Sequence, residues 1–304
     1  MSIVAPPIRV LVVGGTSRAA RAFRRLASSQ HDISVRTLVR RNVPAFPHEA
    51  IEVVSDYFSP PAHVLENIDV AINFVGLTQG RSLAELTPVN IDGPVALARR
   101  VRDKDVPQFI QLSSLHVYGG LERIGRNTPE RPLTPYGISK LMADEALAAL
   151  AGPSFAVTLL RPPVLYGEGA GDNLRKLALM MAKLGWFPVS RPLGRRATLH
   201  MDNLAVALTH ILRRKIAGVQ FAADATPMTF DVLAEVTAGH FGRPIRLVSV
   251  PGWLLHPVRL ASAGLYRRLF ADNMIEDDAL LPDMPPMPVK LRDGLRDLFS
   301  VTRE

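Results

Sequence analysis

Cysteine is absent from all 304 residues. That removes disulfides, thiolate metal sites and cysteine nucleophiles, and it fits a reducing, cytoplasmic location. No uninterrupted apolar run reaches the ~18 residues a membrane span needs. The N-terminal MSIVAPPIRVLVVGG lacks the basic leader of a signal peptide, so a soluble protein is expected. The eight histidines show no metal-ligand spacing, and no metal is expected. No RNA-reading aromatic motif accompanies the basic residues, so nucleic acid is not an expected partner. Repeats and low-complexity tracts are missing, and lysine is scarce, with six in the chain.

What is present is ordinary globular material, 47% hydrophobic and 21% charged, enough for a substantial core. The net charge of +8 is carried mostly by arginine, a residue suited to phosphate. The excess can serve nucleic acid, an anionic membrane surface or phosphorylated small molecules, or it can reflect compositional bias on a solvated face.

Short apolar runs alternate with amphipathic stretches in the first half. Strands are expected at 9–15, 33–40, 51–55, 70–76, 108–114 and 156–162, and helices at 17–29, 89–104 and 139–151. Apolar strands of this kind between helices indicate a parallel sheet covered on both faces. After Pro162 the rhythm loosens through Gly167, Gly169 and Gly171. A helix is expected at 174–184, and 197–214 returns to strand-then-helix. The reading is an α/β, Rossmann-type doubly wound parallel sheet with a smaller, partly interleaved C-terminal substrate lobe. Residues 1–165 form the nucleotide-binding domain, with 197–222 returning to it, and 166–304 form the lobe.

VVGGTSRAARAF follows the first strand and opens a helix, where a dinucleotide pyrophosphate rests on backbone N–H groups. The fingerprint asks for glycine at three points. Gly14 fills the first, Ser17 the second and Ala20 the third, with Gly15 and Thr16 between. Ser17 adds a Cβ near the phosphate and also a hydroxyl able to donate to it. The second strand ends in LVRR rather than in an acid. An acid there takes the ribose hydroxyls of NAD, and arginine suits the 2′-phosphate of NADP. Arg40 and Arg41 are candidates for that contact, with Arg18 nearby; a solvated basic loop is the alternative. Asp56, after the next strand, is placed to accept from the adenine amino group.

FIQLSSLHVYGG ends a strand at Ser113 and Ser114, and PYGISK follows about twenty residues later with Tyr136 and Lys140 on one helical face. Sheet enzymes of this type keep their chemistry at the carboxyl ends of their strands. A tyrosine pKa near ~10 is too high for a base at neutral pH. A nearby ammonium and an oxidised nicotinamide both favour the phenolate. Lys140 is expected to hold the nicotinamide ribose as well, and Ser114 to orient the substrate oxygen. His116 and His200 lie close by in hydrogen-bonding roles.

These stretches, with DVAINFVG, VNIDGPVALA, LLRPPVLYGEG, DNLRKLALM and RRATLHMDNLAVAL, occur in one order from residue 9 to about 210. The sequence resembles the extended short-chain dehydrogenases/reductases, the NAD-dependent epimerase/dehydratase group that acts on nucleotide sugars. The resemblance implies Ser114, Tyr136 and Lys140 as the catalytic set and NAD or NADP as cofactor, with the basic strand end favouring NADP. It implies Val75 and Gly76 as a small pair against the cofactor, Pro162 beside the nicotinamide, and Asn90 as a structural or active-site amide. It places Asn173 and Leu174 at the sugar-nucleotide diphosphate, with Arg196 on its phosphate, and it implies a homodimer. The expected reaction is 4-keto-sugar reduction or UDP-sugar 4-epimerisation. The rival is a non-catalytic dinucleotide sensor or assembly subunit of the same fold, favoured by Ser17 and Ala20. Finally, 251–270 carries tryptophan, leucines and arginines at roughly helical spacing, read as a substrate-lobe helix or, less favoured, as a peripheral membrane contact.

Overall fold

The computed structural model describes residues 6–80, 82–168, 172–190, 193–251 and 272–300, and only the backbone of 172 and 173. The segment 251–270 therefore lies, apart from Pro251, outside the described residues.

Seven parallel strands form the central sheet. They are β1 (Ile8–Val13), β2 (Ile33–Val39), β3 (Glu49–Val53), β4 (Val70–Asn73), β5 (Gln108–Leu112), β7 (Ala156–Leu160) and β11 (Gly218–Gln220). Their order is β11-β7-β5-β4-β1-β2-β3. The chain thus winds outward from β1 in one direction and from β4 in the other. The crevice at the carboxyl ends of β1 and β4 is the switch point of such a sheet. Two-residue alternation divides β1 between two cores. Val10 and Val12 pack on α1 (Arg18–Ala27) and α6 (Met201–Arg214). Leu11 and Val13 face α3 (Gly93–Arg102) and α4 (Pro135–Ala148).

The remaining strands make two-residue to four-residue pairs: β6 (Arg123–Ile124) with β13 (Met274–Ile275), β8 (Val164–Tyr166) with β10 (Thr198–His200), and β9 (Trp186–Val189) with β12 (Arg246–Ser249). A third core joins α5 (Asp172–Leu184), α7 (Phe230–Phe241) and α8 (Leu291–Arg296) through Tyr166, Met181, Phe187, Leu233 and Leu295. Between β4 and α3, α2 (Leu83–Thr87) leads into a π-helical turn, Pro88–Asp92.

Several boundaries differ from the sequence reading, each for a local reason. The helix expected at 139–151 begins at Pro135. Thr134 caps it by accepting from the Gly137 N–H at 3.1 Å, and Pro135 sits at the first helical position, where its missing N–H costs nothing. Tyr136 thereby lies in the first turn of α4, with Lys140 one turn on. The helix expected at 89–104 is divided, and Asn90 falls in the π-turn. Strand β4 stops at Asn73, because Asn73 Oδ1 accepts from the Val75 N–H at 3.0 Å and turns the chain. Among the described residues no helix is long and apolar enough to cross a membrane, and no cluster of histidines and carboxylates is fit to hold a metal ion.

Candidate active site

The glycine turn is built to expose backbone. Gly14 has φ +84°, a conformation other residues rarely adopt, and a Cβ there would meet Val75 Cγ2 at 2.7 Å. The Gly15 N–H donates to the Leu38 carbonyl at 3.1 Å, tying the turn to the end of β2. Thr16 and Arg18 are exposed at the start of α1. Ser17 is the N-cap, its hydroxyl accepting from the Ala20 N–H at 3.2 Å. That contact uses a lone pair and leaves the hydroxyl proton to donate. Ala20 is fully buried against the sheet, so the third fingerprint position serves helix packing.

A buried arginine that local patterning did not single out holds this turn. Arg24 Nη1 donates to the Gly15 carbonyl at 2.9 Å, and its Nε and Nη2 fork onto Glu49 at 2.5 and 2.9 Å. Glu49 also accepts from the Thr37 hydroxyl and the Phe46 N–H. These bonds hold the Glu49 carboxyl below the usual carboxylate range, against the opposing effect of its burial. Beyond β2, Arg40 lies 5.6 Å from the Tyr57 ring and Arg41 is exposed. Asp56 accepts from the Phe58 N–H at 2.9 Å and so caps its own loop with one oxygen.

Across the crevice, Ser114 ends the β5 segment and caps the short helical turn Leu115–Tyr118. Its Oγ accepts from the His116 N–H at 3.2 Å and lies 3.0 Å from His116 Nδ1. Ser114 also neighbours the phenol of Tyr136 and favours its ionised form. The His116 and Tyr136 rings meet edge-on at 5.4 Å. Lys140 is buried, and its Nζ donates to the Leu112 carbonyl at 3.0 Å. The position a Cβ would take on Gly76 is 3.2 Å from Lys140 Nζ and 3.5 Å from Asn90 Oδ1. The ammonium therefore sits against bare backbone beside Val75, which itself touches Gly14. Asn90 locks this corner by bonding both the N–H and the carbonyl of Leu77, at 2.8 and 2.9 Å, and Ser139 Oγ at 3.0 Å. Pro162 is buried, and its carbonyl accepts from the Leu115 N–H at 3.1 Å.

The electrostatics depart from the expectation drawn from the sequence. Burial brings the Lys140 ammonium down to about 8, with Asp144 working against the fall. Burial also pushes the Tyr136 phenol up; the Ser114 hydrogen bond opposes this and the charge of Asp144 adds to it. Lys140 Nζ is 6.0 Å from the Tyr136 ring centre, and burial dominates the position of the phenol. The protein's own groups keep Tyr136 protonated at neutral pH.

Lys140 yields a stability prediction. The folded protein holds this proton less tightly than the unfolded chain, so between about 8 and the ordinary 10.5 the unfolded chain carries more protons. Its contribution to stability therefore rises with pH across that window. Relief of the buried charge, less the lost bond to Leu112, makes Lys140→Met about 2 kcal/mol more stable than the parent at neutral pH. Denaturant titrations from neutral to alkaline pH will show the gap closing as pH rises.

The residues expected at the substrate side lie in the lobe. The Leu174 side chain is buried in its core, so only its main chain can face a ligand. Asn173 is described by backbone alone. Arg196 is half-buried, with its guanidinium 5.0 Å from the Phe230 ring, and its Nε and Nη2 are buried with no hydrogen-bond partner among the described residues. Burial brings it down to about 10, opposed by Asp272. His200, by contrast, caps α6 and packs edge-on to Tyr166 at 5.3 Å.

A doubly wound parallel sheet, a glycine turn after its first strand and a Ser–Tyr–Lys set across the switch point are the marks of the short-chain dehydrogenase/reductase class. The family model for the NAD dependent epimerase/dehydratase family matches residues 10–222, and the chain belongs to that family of NAD-dependent enzymes. It is 26% identical over 294 residues to a UDP-glucose 4-epimerase of Vibrio cholerae, covering 89% of this chain and 85% of that one. It is 24% identical over 235 residues to a 4-hydroxy-2-methyl-3-oxo-4-farnesyl-3,4-dihydroquinoline-1-oxide ketoreductase of Stigmatella aurantiaca, covering 73% and 70%. The solved structure of a UDP-glucuronic acid 4-epimerase from Bacillus cereus in complex with NAD superposes with a TM-score of 0.73 at 16% identity, covering 95% of this chain and 96% of that one.

Proposed function

We propose that the protein moves a hydride between the nicotinamide of NAD(P) and a ring carbon of a nucleoside-diphosphate sugar, as a 4-epimerase or a 4-keto-sugar reductase. The observation that carries this reading is the convergence of three groups. The Tyr136 phenol neighbours Ser114, and the buried Lys140 ammonium abuts Gly76, beside Val75 and the glycine turn at Gly14.

The residues fit a dinucleotide. An ammonium has three N–H donors, and Lys140 gives one to Leu112, leaving two for ribose hydroxyls. The first-turn amides of α1 and the Ser17 hydroxyl suit a pyrophosphate. Arg40 and Arg41 suit the 2′-phosphate of NADP. When bound, the cofactor supplies the hydride acceptor or donor and, in its oxidised form, a positive charge. Tyr136 exchanges the proton at the sugar oxygen, and Ser114 holds that oxygen by hydrogen bonding. Lys140 offsets negative charge at the phenol while fixing the ribose.

Arg196 supports a substrate bearing diphosphate. A desolvated guanidinium with unmatched donors needs an anion, and two phosphates on a nucleotide provide a planar, bidentate match. The test is turnover of purified protein on UDP-hexoses and 4-keto sugar nucleotides with NAD and NADPH. Conversion of one of them, with affinity for the free sugar lower by two orders of magnitude or more, is the expected result. Tight cofactor binding with no turnover across the panel would instead mark a non-catalytic sensor or assembly subunit.

A further inference from the structure

The charges of the C-terminal lobe are distributed in an unusual way. No Asp or Glu occurs from Asn173 to Met201, and none from Val236 to Ala271. The first stretch carries Arg175, Lys176, Lys183, Arg191, Arg195 and Arg196; the second carries Arg243, Arg246, Arg259, Arg267 and Arg268. The fold joins the two stretches. Strand β9 from the first pairs with β12 from the second, with Trp186 opposite Arg246 and Pro188 opposite Val248. The Arg246 N–H also donates to the Gly185 carbonyl at 2.9 Å, so Arg246 adjoins the link between α5 and β9.

Alternation along these strands sorts their side chains. Phe187 and Val189 are buried in the lobe core, and Leu247 packs against it. Trp186, Arg246 and Val248 face outward, because paired residues share a face. On α5, Lys176, Leu179, Met180, Lys183 and Leu184 recur at three- and four-residue steps, which makes one helical stripe. The apolar members of the two elements, Leu179, Met180, Leu184, Trp186 and Val248, are 39–49% exposed. Arg175, Lys176, Lys183, Arg243 and Arg246 are exposed among them. Elsewhere on the surface, arginines are neutralised in pairs such as Arg9–Asp69, Arg213–Asp32 and Arg214–Asp283. Here neither stretch offers a carboxylate of its own, and of their described cations Arg195 alone forms an ion pair, with Asp272 just beyond the second stretch.

We propose that this face, α5 with the β9–β12 ribbon, docks the protein on an anionic lipid surface. Exposed leucine, methionine and tryptophan supply apolar area to insert at the headgroup level, where tryptophan is favoured. The surrounding cations contribute attraction to a negatively charged leaflet. A second copy of the chain is a poor occupant, since two such faces repel each other.

The test is co-sedimentation of the full chain with protein-free vesicles of phosphatidylcholine alone, or containing about one third phosphatidylglycerol. Binding to the anionic vesicles at low salt, release at high salt and no binding to phosphatidylcholine are expected. The exposed charge reversals Lys183→Glu with Arg246→Glu should lower partitioning by about tenfold or more, with thermal stability and cofactor binding unchanged. Leu184→Ser with Trp186→Ser should lower it as well. Should either pair reduce folding, Lys176→Glu with Arg243→Glu offers a second charged pair with the same expected loss. Failure to bind anionic vesicles, or binding indifferent to these variants, overturns the proposal. So does association with native membranes but not with pure lipid, which would identify a protein receptor.

Discussion

Tyr136→Phe is expected to lower turnover by about 10²–10⁴-fold and to leave cofactor affinity unchanged. Phenylalanine keeps the ring, and with it the edge-on contact to His116 at 5.4 Å, so the surrounding packing has no reason to move. Only the hydroxyl beside Ser114 is lost. Burial holds that phenol above its ordinary range, which makes a directional statement about pH. Reduction of a keto sugar needs the protonated phenol, so its rate should hold across neutral pH and decline as the phenol ionises. Oxidation of a sugar hydroxyl needs the phenolate, so its rate should climb with pH over the same range. Steady-state rates in both directions, with cofactor affinity from nicotinamide fluorescence, check the prediction. A Tyr136→Phe protein with parental turnover would remove Tyr136 from the chemistry.

The second large effect concerns stability. Arg161→Met is expected to cost about 3–5 kcal/mol, the range for breaking a buried ion pair from one side, and to lower the melting temperature by about 10 °C. Arg161 Nε donates to Asp144 at 2.9 Å, and its Nη1 donates to Tyr118 at 2.6 Å and Glu130 at 2.8 Å. Asp144 is equally buried and keeps only the Ser113 hydroxyl, at 2.8 Å, once the arginine is gone. Burial pushes the Asp144 carboxyl up, while Arg161 and Ser113 hold it down. Without Arg161 the folded state takes up a proton on Asp144 more readily than the unfolded chain does. The deficit of the variant should therefore shrink as pH falls through the raised value. Adding Asp144→Asn should recover part of the stability. Denaturant titration at neutral and mildly acidic pH measures both effects, and a deficit independent of pH would mean that Arg161 acts by packing alone. Asp144 lies one turn beyond Lys140 on α4 and favours its charged form, so this buried pair bears on Lys140 as well as on the fold.

Much of the architecture is legible in the residues themselves. Apolar strands such as RVLVV and VAIN, alternating with amphipathic helices, dictate a parallel sheet, and β1 to β5 fall close to where the periodicity puts them. Tyr136 and Lys140 are legible as a pair because four residues make about one helical turn. Strand ends are less so. Val75 is apolar like the strand before it, yet it lies past β4 because the Asn73 side chain turns the backbone there. Thr134 and Pro135 are a helix-start signal that apolar periodicity alone passes over, which is why α4 begins earlier than its apolar positions indicate. What local pattern does not encode is pairing across the fold. Arg24 with Glu49 and Arg161 with Asp144 join residues 25 and 17 positions apart, and nothing in their neighbourhoods marks them as buried. The protonation balance of the site follows from those same contacts and from depth. In the protein alone, burial therefore outweighs the acidification of Tyr136 expected from Lys140 and the nicotinamide.

The central claim is hydride transfer to and from a sugar ring carbon in the crevice beside Lys140 and Tyr136. Incubating the protein with oxidised cofactor and a UDP-hexose deuterated at C4, then analysing the nicotinamide by mass spectrometry, tests it directly. With the parent protein, deuterium is expected either on the nicotinamide, when the sugar is left oxidised, or back on C4 of the epimeric sugar, and with Tyr136→Phe neither. Deuterium left on C4 with its configuration unchanged across the UDP-hexose panel, together with no reduction of any 4-keto sugar nucleotide by a cofactor that demonstrably binds, would contradict it.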